Sequence, residues 1–210
     1  HLCDRRQRQM CIRDSTYGSH FNYRERYPSG DAFFTPDYPV EAERKFRDNL
    51  VNAYDNSVRY TDSLLARLIG MLENQGTDAA LIYTSDHGED IFDDHRHLFL
   101  HASPVPSYYQ LHVPFIVWTS DTYREKYPEH MDALQKNRHK SVASNRVVFH
   151  SVLDLAGVTT TYVNDSLSVA SPSYTEFPRF YLNDHNEPRS YDDIGLRKED
   201  FEMFGKMGIR

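Results

Sequence analysis

Residues 84–90 read Thr-Ser-Asp-His-Gly-Glu-Asp and follow directly on the apolar run Ala79-Ala80-Leu81-Ile82-Tyr83. A short apolar run bounded by polar residues reads as a buried strand. Successive strand side chains point to opposite faces, so Asp86 and His87 can address one point only where the backbone leaves the ladder. Gly88 is expected to supply that turn through its tolerance of unusual dihedrals. In open α/β sheets ligands gather outside the carboxyl ends of strands, where this pair falls. A carboxylate oxygen beside an imidazole nitrogen suits Zn²⁺. An isolated Asp-His pair in a loop is ordinarily a solvated turn, so the flanking sequence has to decide.

Outward from this block, the chain alternates helical and strand patterns. Residues 21–39, rich in Tyr, Pro, Gly and charge, read as loop. From Glu41 to Asn74 the residues Phe46, Leu50, Tyr54, Val58, Leu65, Leu68 and Leu72 keep a 3.6-residue rhythm that Gln75-Gly76 ends. A loop through Tyr109 precedes a second strand over 113–119, apolar on both faces as a covered parallel strand is. Residues 123–140 read as polar and mobile, 142–156 as an amphipathic helix closed by Gly157, and the remainder as loop with a short strand at Phe180-Tyr181-Leu182. This order predicts an α/β fold, a layered sandwich with a mostly parallel sheet flanked by helices.

With 210 residues, 39% of them apolar and 26% charged, the chain can bury a sizeable core. A formal charge of −7 argues against a nucleic-acid partner, and no polybasic patch marks a membrane surface. No apolar run approaches the ~18 residues needed to span a bilayer, and no signal-peptide core is visible. Residues 1–15 are basic, aperiodic and contain both cysteines, Cys3 and Cys11. They are expected to be a non-native leader, with residues 16–210 forming one catalytic-domain segment.

The block and its neighbours resemble the alkaline phosphatase and sulfatase superfamily, and within it most closely the lipid A phosphoethanolamine transferases. Gly18-Ser19-His20 with the following Arg26-Tyr27-Pro28, Asn52-Ala53-Tyr54-Asp55-Asn56-Ser57, Ser85 to Glu89, Phe99-Leu100-His101 and His112-Val113-Pro114-Phe115 carry the likeness, over roughly residues 16 to 160. It implies an incomplete alkaline-phosphatase-like fold, Zn²⁺ as cofactor, and Asp86 and His87 as metal ligands. It also implies His101 and His20 as substrate-binding, with Glu89 and Gly88 supporting the ligands from outside. The donor would be a phospholipid and the acceptor lipid A or a related glycan. The catalytic Thr nucleophile is expected upstream, as is the membrane-anchoring segment of an inner-membrane protein with a periplasmic catalytic domain. Relatives of this kind often carry several disulfides, whereas residues 34–38 hold no cysteine, which places the chain in a disulfide-poor branch.

A sulfatase or phosphodiesterase of the same superfamily is the alternative reading, and a truncated non-catalytic α/β module a third. Two ligands hold a catalytic zinc too weakly, so further donors are required. Around the reacting centre, imidazoles suit a phosphoryl group whose charge spreads over three oxygens. His95-Arg96-His97 reads as an exposed, solvated loop, His112 as fixing the entry to the second strand, and His150 as a hydrogen-bonded core histidine. Nucleotide and serine-hydrolase motifs are absent from the sequence.

Overall fold

The computed structural model describes residues 15–101, 103–182, 185 and 187–209. Cys3, Cys11 and all of the expected leader except Ser15 lie outside them. In chain order the elements are α1 (Arg47–Glu73), β1 (Ala80–Thr84), β2 (Asp90–Ile91), β3 (Phe99–Leu100), α2 (Tyr108–Leu111), β4 (Phe115–Thr119), α3 (Asp121–Lys126), α4 (Pro128–Asn137), α5 (Ser144–Leu155), β5 (Phe180–Leu182), β6 (Pro188–Ser190) and α6 (Lys198–Lys206). The strands pair two by two: β1 with β4, β2 with β3 and β5 with β6. The last two pairs are antiparallel. Helices and strands are thus interspersed along the chain, as in an incomplete α/β fold. Two compact units emerge, one of Gly76–Ile82 and Val117–Glu176, the other of Tyr17–Gln75, Tyr83–Ile116 and the residues from Phe177 onward.

In the second unit, α1 runs for 27 residues, about 40 Å at 1.5 Å per residue. Its first half buries Leu50, Ala53 and Ser57, spaced three and four apart along one face. Leu50 and Ala53 pack with Tyr23, Val40 and Ile91, and Phe21, Phe46 and Phe99 close over them. Three asparagines on the same helix, Asn49, Asn52 and Asn56, hold the preceding loop down. Asn49 donates to the Pro39 carbonyl (3.1 Å) and Asn52 to the Pro36 carbonyl (2.8 Å). The buried Asn56 accepts from the Phe33 and Phe34 N–H groups, each at 2.9 Å, and donates back to the Phe34 carbonyl. These bonds satisfy backbone groups that lack a ladder, so the segment read as loop is a tethered one. The second half of α1 leaves Leu64, Leu68 and Met71 exposed, as is Val58 before them.

The link between β2 and β3 is locked by Arg96. Its guanidinium, with a side chain only 6% exposed, pairs with Asp94 and, at 2.7 Å, with the fully buried Asp200 of α6. Asp200 also accepts from the backbone N–H groups of Tyr108 (2.8 Å) and Arg197 (2.9 Å). Burial pushes this carboxyl up, and those donors together outweigh burial and hold it below the usual range. The expectation that His95-Arg96-His97 is simply solvated therefore fails at Arg96, because the anion that buries it is 104 residues away and invisible to local pattern. Helix α6, read from sequence as loop, forms because Asp200 caps it and Phe204 buries against Tyr108.

In the first unit, residues 123–140 are helical rather than mobile. Ser120 caps α3 by accepting from the Tyr123 N–H, and Pro128 opens α4. Tyr123, Tyr127, Met131 and Leu134, at i, i+4, i+8 and i+11, give one apolar face. That face packs with Leu155, Ala170, Ile82 and Val117. The polar residues between them had masked this stripe. Helix α5 ends before Gly157, which takes a φ of 63° as a helix terminus favours. Ile116 of β4 is 45% exposed, so that strand is not covered on both faces among the described residues. No helix among them is long and apolar enough to cross a membrane.

Candidate metal centre

The β2–β3 register builds the site. Asp90 pairs with Leu100 and Ile91 with Phe99, so the next positions outward, Glu89 and His101, face one another at the open end of the ladder. The His101 Nδ1 lies 3.1 Å from Glu89 Oε1. Leu100, just before His101, has a φ of 66°, and Phe92, just after β2, one of 55°. For non-glycine residues this costs on the order of 1–2 kcal/mol each, strain that the surrounding packing must hold.

His87 arrives from the other direction, off the end of β1. Its ring lies 3.8 Å, centroid to centroid, from that of His101. Ligand-capable atoms of His87, Glu89 and His101 all fall within 4.8 Å of one another. His20 stands edge-on to His101 at 5.8 Å. Asp86 is largely exposed, its carboxylate oxygen 3.9 Å from His87 Nε2, and it accepts from the His87 N–H at 3.1 Å. Four of the expected residues are thus gathered, with Asp86 at the rim. Glu89, expected to act from outside the ligand set, lies beside His87 and His101 and engages Tyr23 and His101 through its two oxygens.

The ring nitrogens are sorted by their partners. A carbonyl oxygen can only accept, so His87 Nδ1, 2.9 Å from the Gly88 carbonyl, carries the hydrogen. The same holds for His20 Nδ1, 2.6 Å from the Phe21 carbonyl. His101 Nδ1 faces a carboxylate, the carboxylate–histidine arrangement that orients metal-site imidazoles. In each ring Nε2 is left as the nitrogen with a lone pair. Tyr23, fully buried, donates its hydroxyl to the other oxygen of Glu89. Burial first, and the Glu89 carboxylate second, push its phenol up, so it stays protonated and remains a donor. Sequence reading missed Tyr23; the only signal was its place three residues after His20 in the tyrosine-rich segment.

Gly88 has a different task from the one expected. Its φ is outside the left-handed region, and a Cβ there would sit 2.0 Å from the Tyr109 carbonyl oxygen. The glycine allows the backbones to touch, with its N–H donating to the Gln110 carbonyl at 2.8 Å. Buried Asp90 fixes the facing segment by accepting from Ser107 (2.8 Å) and Gln110 (2.5 Å); burial pushes its own carboxyl up despite these donors. Ser85 donates to the His87 carbonyl at 2.8 Å. His112 accepts from the Tyr108 hydroxyl at 2.6 Å and so braces the entry to β4, and His150 accepts from the Asn164 N–H at 3.2 Å.

Two imidazoles and a carboxylate converging this closely, with free Nε2 atoms, are the donor chemistry of a catalytic zinc site. The sulfatase family model matches residues 5–158. Phosphoethanolamine transferase EptA of Salmonella typhimurium is 32% identical over 163 residues, 75% of this chain and 29% of that protein. Among solved structures, the C-terminal periplasmic domain of EptC from Escherichia coli, in complex with Zn, is 25% identical at a TM-score of 0.63, over 85% of this chain and 50% of that one. The integral membrane protein lipooligosaccharide phosphoethanolamine transferase A of Neisseria meningitidis is 30% identical at a TM-score of 0.67, over 73% of this chain and 30% of that one. The chain therefore spans about a third or less of these full-length relatives and half of the solved periplasmic domain, and shares their alkaline-phosphatase-like α/β fold. Since the family model runs through most of the sequence and the fold agrees with it, the chain belongs to the sulfatase family.

Proposed function

We propose that this chain is the distal part of the catalytic domain of a zinc-dependent phosphoethanolamine transferase, which moves the group from a phospholipid to lipid A or a related glycan. The convergence of His87, Glu89 and His101 within 4.8 Å, in a chain whose relatives carry that name, is the observation that supports it. The neighbour in complex with Zn supports the choice of metal. Residues 16–210 would be the native segment, downstream of a membrane anchor in an inner-membrane protein.

In this reading His87 would hold the ion through Nε2, with Asp86, whose carboxylate oxygen lies 3.9 Å from that atom, as a further ligand. When bound, the ion would lower the pKa of an attacking hydroxyl and offset charge on phosphoryl oxygens. Glu89, anchored by Tyr23, keeps His101 in the tautomer with Nε2 free. His101 and His20 can then meet the phosphoryl oxygens or carry the leaving group's proton. The nucleophile would be a Thr upstream, forming a covalent phosphothreonine before the acceptor takes the group. The family description also favours a second reading, a hydrolase in which water is the acceptor. Product analysis of the complete enzyme with phosphatidylethanolamine and lipid A separates them. Modified lipid A supports transfer, and free phosphoethanolamine as the sole product would overturn it.

A further inference from the structure

We propose that Arg26 is a positioning residue for the candidate metal centre: its guanidinium grips the loop that carries His20 and so holds that imidazole beside His101. The inference rests on the function proposed above, in which His20 meets the phosphoryl group, and it names what keeps His20 in place.

His20 is exposed, and residues 17–22 around it belong to no helix or strand. The course of such a loop depends on bonds from side chains to its backbone. Arg26 supplies them. Its Nε donates to the His20 carbonyl at 2.8 Å and its Nη2 to the Phe21 carbonyl at 3.3 Å. The Phe21 carbonyl also accepts the Nδ1 hydrogen of His20 at 2.6 Å, so one oxygen receives both the imidazole and the guanidinium. The guanidinium carbon lies 5.0 Å from the centre of the Tyr17 ring, which in turn meets the His20 ring edge-on at 6.0 Å. The Tyr17 carbonyl accepts the His20 N–H at 3.1 Å. Among the described residues no carboxylate pairs with Arg26, whose donors go to these carbonyls. A planar fork that donates in two directions is particular to arginine, and a lysine ammonium does not reproduce it.

Arg26 is itself well placed for this task. It closes the one-turn helix Tyr23–Arg26, whose first residue, the buried Tyr23, donates to Glu89. Glu89 faces His101. One turn therefore orients both imidazoles, His101 through its first residue and His20 through its last, with the rings 5.8 Å apart. Two groups fixed in this way can meet one phosphoryl group without rearranging, which is the condition for electrostatic preorganisation.

A double-mutant cycle in the complete enzyme tests the proposal, reading kcat and KM for transfer in His20→Ala, Arg26→Lys and the pair. Arg26→Lys keeps the charge and removes the fork. It is expected to lower kcat roughly 10- to 100-fold, the usual effect of losing a residue that orients a metal-site group, with KM little changed. Once His20 is replaced, Arg26→Lys should cost nothing further. In the chain itself, nitrogen NMR of the His20 ring should show the Nδ1–H tautomer alone in wild type and a mixture in Arg26→Lys. An unchanged kcat, an unchanged tautomer, or a full Arg26→Lys cost that persists in the His20→Ala background would each overturn the positioning role and leave the transferase reading intact. Wild-type kcat in His20→Ala would overturn the phosphoryl role of His20 and the positioning role with it.

Discussion

His87 shows how much one backbone contact can decide. Because its Nδ1 hydrogen goes to the Gly88 carbonyl, the remaining nitrogen is committed to accepting, and a metal is the natural partner. His87→Ala should remove that donor without touching the core. In the complete enzyme, zinc content by atomic absorption is expected to fall and metal-dependent transfer to vanish, and normal turnover at full zinc stoichiometry would refute the assignment. Gly88→Ala should act on stability instead: its new methyl meets a carbonyl oxygen at 2.0 Å, and such overpacking costs roughly 1–3 kcal/mol, measurable as a lowered urea midpoint. The placement of Asp86 and His87 just beyond the end of β1 was legible from residue type and context. The carbonyl that forces a glycine was not, since it comes from Tyr109, beyond any local window. Nor was the pairing of Glu89 with His101, which follows from a two-residue ladder whose register no pattern announces.

At the scale of elements, the β2–β3 pair is too short to stand alone and depends on the Arg96–Asp200 lock. Arg96→Met would leave a fully buried carboxylate uncompensated, at an expected cost of about 3–5 kcal/mol; denaturant unfolding that matched wild type would show the lock to be dispensable. Helices α1 and α5 and the strands at 80–84, 115–119 and 180–182 were legible because their apolar residues keep clear periods. Helices α3, α4 and α6 were not, since charged residues crowd their exposed faces and their caps or anchors act across the chain. In the first unit, α4 and α5 are tied by His130, 3.5 Å from Asp154, which also accepts from Ser168 at 2.5 Å. The hydrogen bond to Asp154 pushes His130 above its usual 6.5, so that its stabilisation is complete below pH 6.5 and fades as pH rises through the raised value. The same bond pulls Asp154 below 3.8, so that its share is complete above pH 3.8 and fades as pH falls through the lowered value. The unit should be steadiest between those limits, and Asp154→Asn should flatten the dependence of thermal midpoint on pH across both edges. An unchanged profile would dismiss the pair as a determinant.

For the molecule as a whole, the chain carries one part of a larger family domain, spanning 29% of a curated relative and half of a solved periplasmic domain. Its site has donors and positioning groups, with the attacking hydroxyl expected elsewhere. The isolated 210-residue chain should therefore bind zinc weakly and turn over no phosphoester, and robust hydrolysis by the purified chain would mean that the nucleophile lies within it. The central claim is that His87, with its neighbours, holds a metal ion at the end of β1. Anomalous diffraction at the zinc edge from zinc-soaked crystals tests it most directly. The account predicts a peak about 2.0–2.1 Å from His87 Nε2, within reach of the Asp86 carboxylate. A map with zinc bound only at other histidines, and no peak at His87, would contradict it.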